Sequence, residues 1–238
     1  MIQFFALTSS SIPTSGLNFY FDAIWQSNRA NQMTSYDRSG NYRQMITFLN
    51  GPTVDMSDAN GSISLDGTND LIPTPITVTE SASASVVLWM KRTGSPVAYA
   101  GIFYCRTASG GHVSGLHFGN TTGAHNQKLR YTWNNANFDV ETHLTQSLNQ
   151  WSYVSLSVNA TGATFINATQ TWGSRRSFRH VTTNNIVSFH IPWIGWDGFS
   201  NRYAPIKVGM LLFYHRNISD RESQTIWELT KGRFYGSN

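Results

Sequence analysis

What is scarce in these 238 residues narrows their reading first. Cysteine occurs once, at Cys105, so no disulfide can close within the chain and no cysteine zinc site can be built. Nowhere is there an apolar run of the roughly eighteen residues that a membrane-spanning helix needs. The opening segment, Met1-Ile2-Gln3-Phe4-Phe5-Ala6-Leu7, has no basic region, and its apolar stretch is too short for a secretory signal. Charged residues make up only 13% of the chain, and lysine supplies just four of the 17 basic residues. The arginines are scattered, with one cluster at Arg175, Arg176 and Arg179, whereas a nucleic-acid binder presents a basic stripe. Nucleic acid is therefore not an expected partner. Arginine in place of lysine suits planar, bidentate contacts at protein interfaces.

What is abundant points to strands. Aromatic residues reach 13%, and Thr, Val, Ser, Asn and Gly fill much of the rest, a composition that favours β structure over helix bundles. Residues 1–15 are rich in Ser and Thr, end in Ile12-Pro13-Thr14-Ser15, and read as an arm outside the core. Leu17 to Asp22 alternates as a strand, and residues 26–44 read as polar and irregular. Ile63 to Asp66 alternates again and turns at Asp66-Gly67. Val86-Val87-Leu88-Trp89-Met90 is apolar without interruption, as a central strand is. Lys128 to Trp133 and Trp151 to Val158 alternate, and Asn159-Ala160-Thr161-Gly162 turns into a hairpin partner at Ala163 to Asn167. A further strand over 186–194 is interrupted at Pro192, and Ile206 to Tyr214 has a strand's length and composition.

One helix is expected, at the end. Ser219 and Glu222 have capping-box spacing, Asp220 and Glu222 favour a helix N-terminus, and Ile226 and Leu229 supply an apolar stripe. Gly232, after Lys231, is the expected stop. Many short strands without alternating helices describe an all-β, antiparallel two-sheet sandwich with one short C-terminal helix. The expected organisation is an arm over 1–15 and one domain over 16–238.

Several segments, in order, resemble the laminin-G-like, concanavalin A-like jelly-roll family, in the form common in bacteriophage and other viral structural proteins. Gly16-Leu17-Asn18-Phe19-Tyr20-Phe21-Asp22-Ala23 resembles its opening strand. Tyr36-Asp37-Arg38-Ser39-Gly40-Asn41 resembles its D-x-S-G-N loop, and Leu49-Asn50-Gly51-Pro52-Thr53 its N-G-P-T turn. Ile63 to Asp70 resembles the F-D-G-T-D-D hairpin, Ser85 to Lys91 the strand with a central Trp, and Gln150 to Val154 the W-x-x-V strand. Ile194-Gly195 and the closing strand and helix complete the series. There are departures: the acidic closing strand is replaced by Ile206-Lys207-Val208-Gly209, and the Y-V-N-G hairpin by Phe165-Ile166-Asn167-Ala168. Both weigh against a calcium-dependent version of the fold.

The resemblance implies a non-enzymatic virion structural protein, such as a capsid, capsid-decoration or tail-associated subunit. It would be made in a host cytoplasm and would contact other virion proteins and further copies of itself. The alternative is a carbohydrate-binding module for host-surface attachment. Phe4, Phe5, Leu7 and Ile12 are the expected assembly residues of the arm. Trp193, Trp196, Asp197, Asn201 and Tyr203 form an aromatic and polar loop that suits a protein interface, a glycan platform or packing at the sandwich edge. A glycosidase needs two carboxylates about 5–10 Å apart; the closest spacing, Asp139 and Glu141, falls in a polar stretch, and no catalytic residue is expected. No cofactor is expected. Asp66, Asn69 and Asp70, with Asp22 and Asp197, carry oxygens that calcium takes, but turns account for such residues better.

Overall fold

The structure is a computed structural model that describes residues 12–25, 27–29, 32–41, 45–106, 113–120, 128–133, 140–180 and 187–236. Two antiparallel sheets pack face to face, as the strand pattern implies. In the larger sheet, β16 (Ser174–Arg179), β15 (Gly162–Ala168), β14 (Trp151–Asn159), β9 (Ser83–Arg92), β19 (Pro205–Tyr214), β6 (Ser62–Asp66) and β5 (Thr53–Asp55) follow in that order. The far edge of β19 is shared. Its first half pairs with β6 and its second half with β1 (Leu17–Asp22). The smaller sheet runs β13 (Val140–Thr145), β12 (Lys128–Thr132), β11 (Val113–Phe118), β10 (Gly101–Arg106), β18 (Trp193–Ile194) and β7 (Ile72–Pro73).

Two short ribbons complete the strands. β2 (Ser27–Arg29), β3 (Gln32–Tyr36) and β4 (Met45–Thr47) form one, within a stretch whose polarity reads as irregular. Among the described residues its strands pair only with each other, and Ile46 of β4 anchors the ribbon in the inner core. β8 (Thr77–Ser81) and β17 (Val187–His190) form the other. The expected single strand over 186–194 is thus two strands in different sheets. The break falls where Ile191 turns at φ 49° and Pro192 withholds an N–H.

β9 and β19 lie side by side from Arg92/Ile206 to Ser85/Tyr214, and both are apolar on both faces. Ala84, Val86, Leu88 and Met90 of β9, with Val208, Leu211 and Phe213 of β19, face the smaller sheet and join Phe103, Leu116, Phe118 and Tyr131 in the inner core. Val87 and Trp89, with Met210, Leu212 and Tyr214, face the other way and form a second cluster with Trp151, Tyr153, Ile226, Trp227 and Phe234. The cover for that second face is the terminal helix α1 (Asp220–Tyr235).

The helix begins as its cap predicts. Ser219 accepts from the Glu222 N–H at 3.2 Å, and the Glu222 carboxylate accepts from the Ser219 N–H at 2.8 Å. Arg216 pairs with the same carboxylate at 2.5 Å, and that ion pair, outweighing burial, pulls Glu222 down to about 2. The end differs from the expected stop: the helix runs through Gly232 to Tyr235 and closes at Gly236. A mid-helix glycine costs about 1 kcal/mol relative to alanine, and the residues beyond it more than offset that. The Phe234 ring stacks on Trp89 at 4.4 Å and 15°. Arg233 donates to Asp22 at 2.7 Å and to the Gly61 carbonyl at 2.6 Å, and the Tyr235 hydroxyl donates to the Trp151 carbonyl. Trp89 donates its indole N–H to Thr230 at 2.7 Å, so no polar atom of that buried ring is left over.

The motifs that carried the resemblance have local work in the fold. Asp37 accepts from the Tyr20 N–H at 2.8 Å, and Asn41 donates to the Leu17 and Asn18 carbonyls at 2.9 and 3.0 Å. The D-x-S-G-N loop thereby satisfies backbone groups on the free edge of β1, which would otherwise be open to pairing.

Two stability predictions follow from the helix dock. A Cβ at Gly209 would run into the Phe234 ring, so Gly209→Ala should cost about 1–3 kcal/mol, visible as a lower Tm by calorimetry. Glu222→Gln removes a charge whose folded pKa is depressed to about 2 from 4.5. The stability that charge adds is present above the unfolded value and fades as pH falls through the folded one. The variant should melt about 1–4 °C lower at pH 7, with the difference gone below pH 2.

Candidate functional site

β18 carries Trp193 on the face of the smaller sheet opposite the core, and the chain then loops from Gly195 back to Ala204 before entering β19. Gly195 turns with φ 92°, and its carbonyl accepts from the Ala204 N–H at 2.9 Å, closing the loop at its base. Trp196 and Tyr203 bridge across the loop, and their rings stack at 5.6 Å and 10°. Trp193 packs against Trp196 at 4.8 Å, and the Trp196 indole N–H donates to the Ser200 carbonyl at 3.2 Å. At Gly198, φ is 80° and a Cβ would come within 2.6 Å of the Trp193 ring, so only glycine fits the loop onto that ring.

Asp197 is the anchor. Its side chain is 2% exposed. It accepts from the Phe199 N–H at 2.8 Å and from Arg202 at 3.1 Å, with Arg106 at 3.6 Å. Burial pushes its carboxyl up, against the pull of Arg202, the Phe199 amide and Arg106. The two guanidiniums it holds are layered between rings. Arg106 lies over Phe199 at 5.5 Å and Tyr104 at 6.0 Å. Arg202 lies over Phe199 at 4.8 Å and Tyr99 at 5.0 Å, and Arg130 takes the other contact with Tyr99 at 5.6 Å. The result is an alternating stack of rings and guanidiniums, each contact worth about 0.5–1 kcal/mol where exposed. Phe199, held between two arginines, is 53% exposed.

Of the expected loop residues, Trp193, Trp196, Asp197 and Tyr203 come together, and Asn201 lies exposed at the tip. Asp197 serves the loop's interior rather than its surface. Arg106, Arg202, Tyr99, Tyr104 and Phe199 belong to the same cluster and were not singled out in the sequence. Arg106 closes an otherwise apolar strand, the one local hint.

The other expected residues fall elsewhere. Ile12 is buried in the outer cluster of its own domain, contrary to its expected place in an arm outside the core. The apolar face around Tyr20 and Tyr214 takes it in, with the Tyr214 hydroxyl donating to the Pro13 carbonyl at 2.9 Å. Phe4, Phe5 and Leu7 lie outside the described residues. Asp66 accepts from the N–H groups of Thr68 and Asn69, and Asp70 from that of Asp66, as in a turn. Asp22 is paired with Arg233. Among the described residues, no three His, Cys, Asp or Glu side chains gather as a metal site requires.

Asp139 is outside the described residues, and Glu141 stands on β13 opposite Arg130. A carboxylate pair that sequence reasoning missed is Asp55 and Asp58, both bound to the Lys207 ammonium at 2.8 and 2.9 Å. Lys207 and Ser57 hold Asp55 below the usual carboxylate range. Burial alone would raise Asp58, but Lys91, Lys207 and the Trp151 indole N–H hold it down as well. Glycosidic chemistry needs one carboxyl kept protonated, and this pair is held ionised.

No family model and no curated protein matches the chain. Solved structures do. Trypanosoma rangeli sialidase superposes with a TM-score of 0.63 at 14% identity over 95% of this chain and 34% of its own. Domain 4 of an extracellular GH43 arabinanase from Geobacillus stearothermophilus, solved with arabinotriose, gives 0.63 at 15% identity over 90% of this chain and 98% of that domain. The binding domain of botulinum neurotoxin serotype D gives 0.62 at 14% over 92% of this chain and 52% of its own. The chain spans about a third of the sialidase. At these identities the likeness establishes the β-sandwich fold and nothing finer.

Asp197→Ala should destabilise the domain by about 2–4 kcal/mol, because two partly buried guanidiniums lose their counter-charge. Phe199→Ala should cost less, about 1–2 kcal/mol, the two arginine contacts on a half-exposed ring. Chemical denaturation of both variants checks the contrast.

Proposed function

We propose that the chain is a non-enzymatic structural subunit of a virion, working through protein–protein contacts made by the Phe199 loop. The observation that carries this is the half-exposed Phe199 ring clamped between Arg106 and Arg202. Aromatic and arginine side chains dominate interface hot spots. Here they are ordered beforehand by a buried carboxylate, which lowers the entropy lost on binding. The placement in a virus particle rests on the order of motifs from Gly16 to the terminal helix.

A second reading is a carbohydrate-binding module for surface attachment. The parallel stack of Trp196 on Tyr203 favours it, as does the likeness to a domain solved with arabinotriose. Two measurements separate the readings. Antibody to the recombinant chain should label virus particles in electron micrographs. Sedimentation should show self-association, or binding to particles stripped of this chain, that Phe199→Ala weakens at least tenfold. A chain that neither self-associates nor binds such particles, yet recognises a glycan array in a Trp196-dependent manner, would establish the second reading instead.

A further inference from the structure

The outer face of the larger sheet is covered by α1 over β9, β19 and part of β14, and the cover reaches β15 only at its Ala168 end. Between that edge and the turn leading into the helix lies a groove of about 390 Å³, within the size range of small-ligand sites. Its floor is a row of hydroxyls. Ser157, Thr164 and Ser177 are directly paired across β14, β15 and β16. Ser157 is spent on structure, meeting the Ile218 N–H and carbonyl at 3.1 Å each. The hydroxyls of Thr164 and Ser177 have no hydrogen-bond partner among the described residues.

In the next row Gly162 stands between Asn159 and Arg179. A Cβ there would strike the Phe178 carbonyl, so the floor stays open beside Arg179. That guanidinium is exposed and has no partner among the described residues. Asn217 forms the opposite wall, and its Oδ1 is buried without a hydrogen bond. A half-turn of the amide would offer that acceptor to the groove.

We propose that this groove binds an acidic sugar unit of a polysaccharide. Thr164, Ser177 and Asn217 supply both donors and acceptors, which ring hydroxyls need. Arg179 supplies the planar fork that a uronate carboxylate takes in bidentate fashion. The groove lies on the sheet opposite the Phe199 loop, so the proposal does not depend on the reading of that loop.

The test is titration of the full chain with tetragalacturonate, followed by calorimetry and by amide shifts in NMR. Binding should perturb the Thr164 and Ser177 amides. Arg179→Ala should weaken it at least tenfold, Thr164→Val should weaken it at constant Tm, and Phe199→Ala should leave it unchanged. Arg179 is exposed on an edge strand, so its loss does not threaten folding. Absence of binding at millimolar ligand overturns the proposal, as does equal affinity for a neutral tetraglucan. Equal affinity for single-stranded DNA of matched charge overturns it too, reducing the groove to a nonspecific basic edge.

Discussion

The structure depends on a central pair of strands, β9 and β19, that is apolar on both faces. A sandwich needs only one buried face per sheet, and a second apolar face left open would be a contiguous sticky patch. Val87, Trp89, Leu212 and Tyr214 therefore demand a second layer, and α1 with Ile12 provides it. Burying each large apolar side chain contributes about 1.5–3 kcal/mol, so a helix with three large apolar anchors at Ile226, Trp227 and Phe234 is held by packing rather than propensity. Gly209 makes the fit possible. It lies at the β19 bulge between Val208 and Met210, where its missing side chain is the seat of the Phe234 ring.

Few charges are available, and ten of those that the structure describes fasten that arrangement. Arg216 ties the front of the helix to Glu222, and Arg233 ties its end to Asp22 and to the 59–61 turn. Lys91 and Lys207 bind Asp55 and Asp58, which pins the 55–58 turn beside Trp151. Arg175 pairs with Asp220 at the helix start, although at about half exposure that pair adds little. Against this background the cations of the two candidate surfaces are distinctive for opposite reasons. Arg106 and Arg202 are held rigid by Asp197 and rings, whereas the Arg179 guanidinium has no partner among the described residues.

The fold was legible where pattern and burial coincide. The uninterrupted Val86–Met90 run and the Ile206–Tyr214 run announced central strands, and Ser219 with Glu222 announced the helix start. Legibility failed where tertiary contacts overrule local rules. Gly232 reads as a stop, but Arg233, Phe234 and Tyr235 find partners on the sheet and pull the helix past it. Ile12 reads as part of an arm, but the outer cluster has room for it. At the loop, the tryptophans were visible because they are rare and close in sequence. Arg106 was not, because it reaches Asp197 only through the pairing of β10 with β18, and no local spacing encodes that.

Folding of the sandwich consumes some polar groups and leaves others free. Motifs such as D-x-S-G-N satisfy backbone groups at the edge of β1, so their chemistry is consumed within the fold and cannot report a ligand. Lys207 likewise stands in a strand position where a carboxylate would suit a cation, and it is itself the counter-ion of two aspartates. Recognition must therefore use groups whose hydrogen-bonding or stacking capacity survives folding. Among the described residues, Phe199 offers the exposed edge of its ring and Arg179, Thr164 and Ser177 offer unspent polar side chains. They lie on opposite sheets, so a ligand at one surface need not displace a partner at the other. A subunit built this way could be held by one face and read a glycan with the other without any change of shape between the two events.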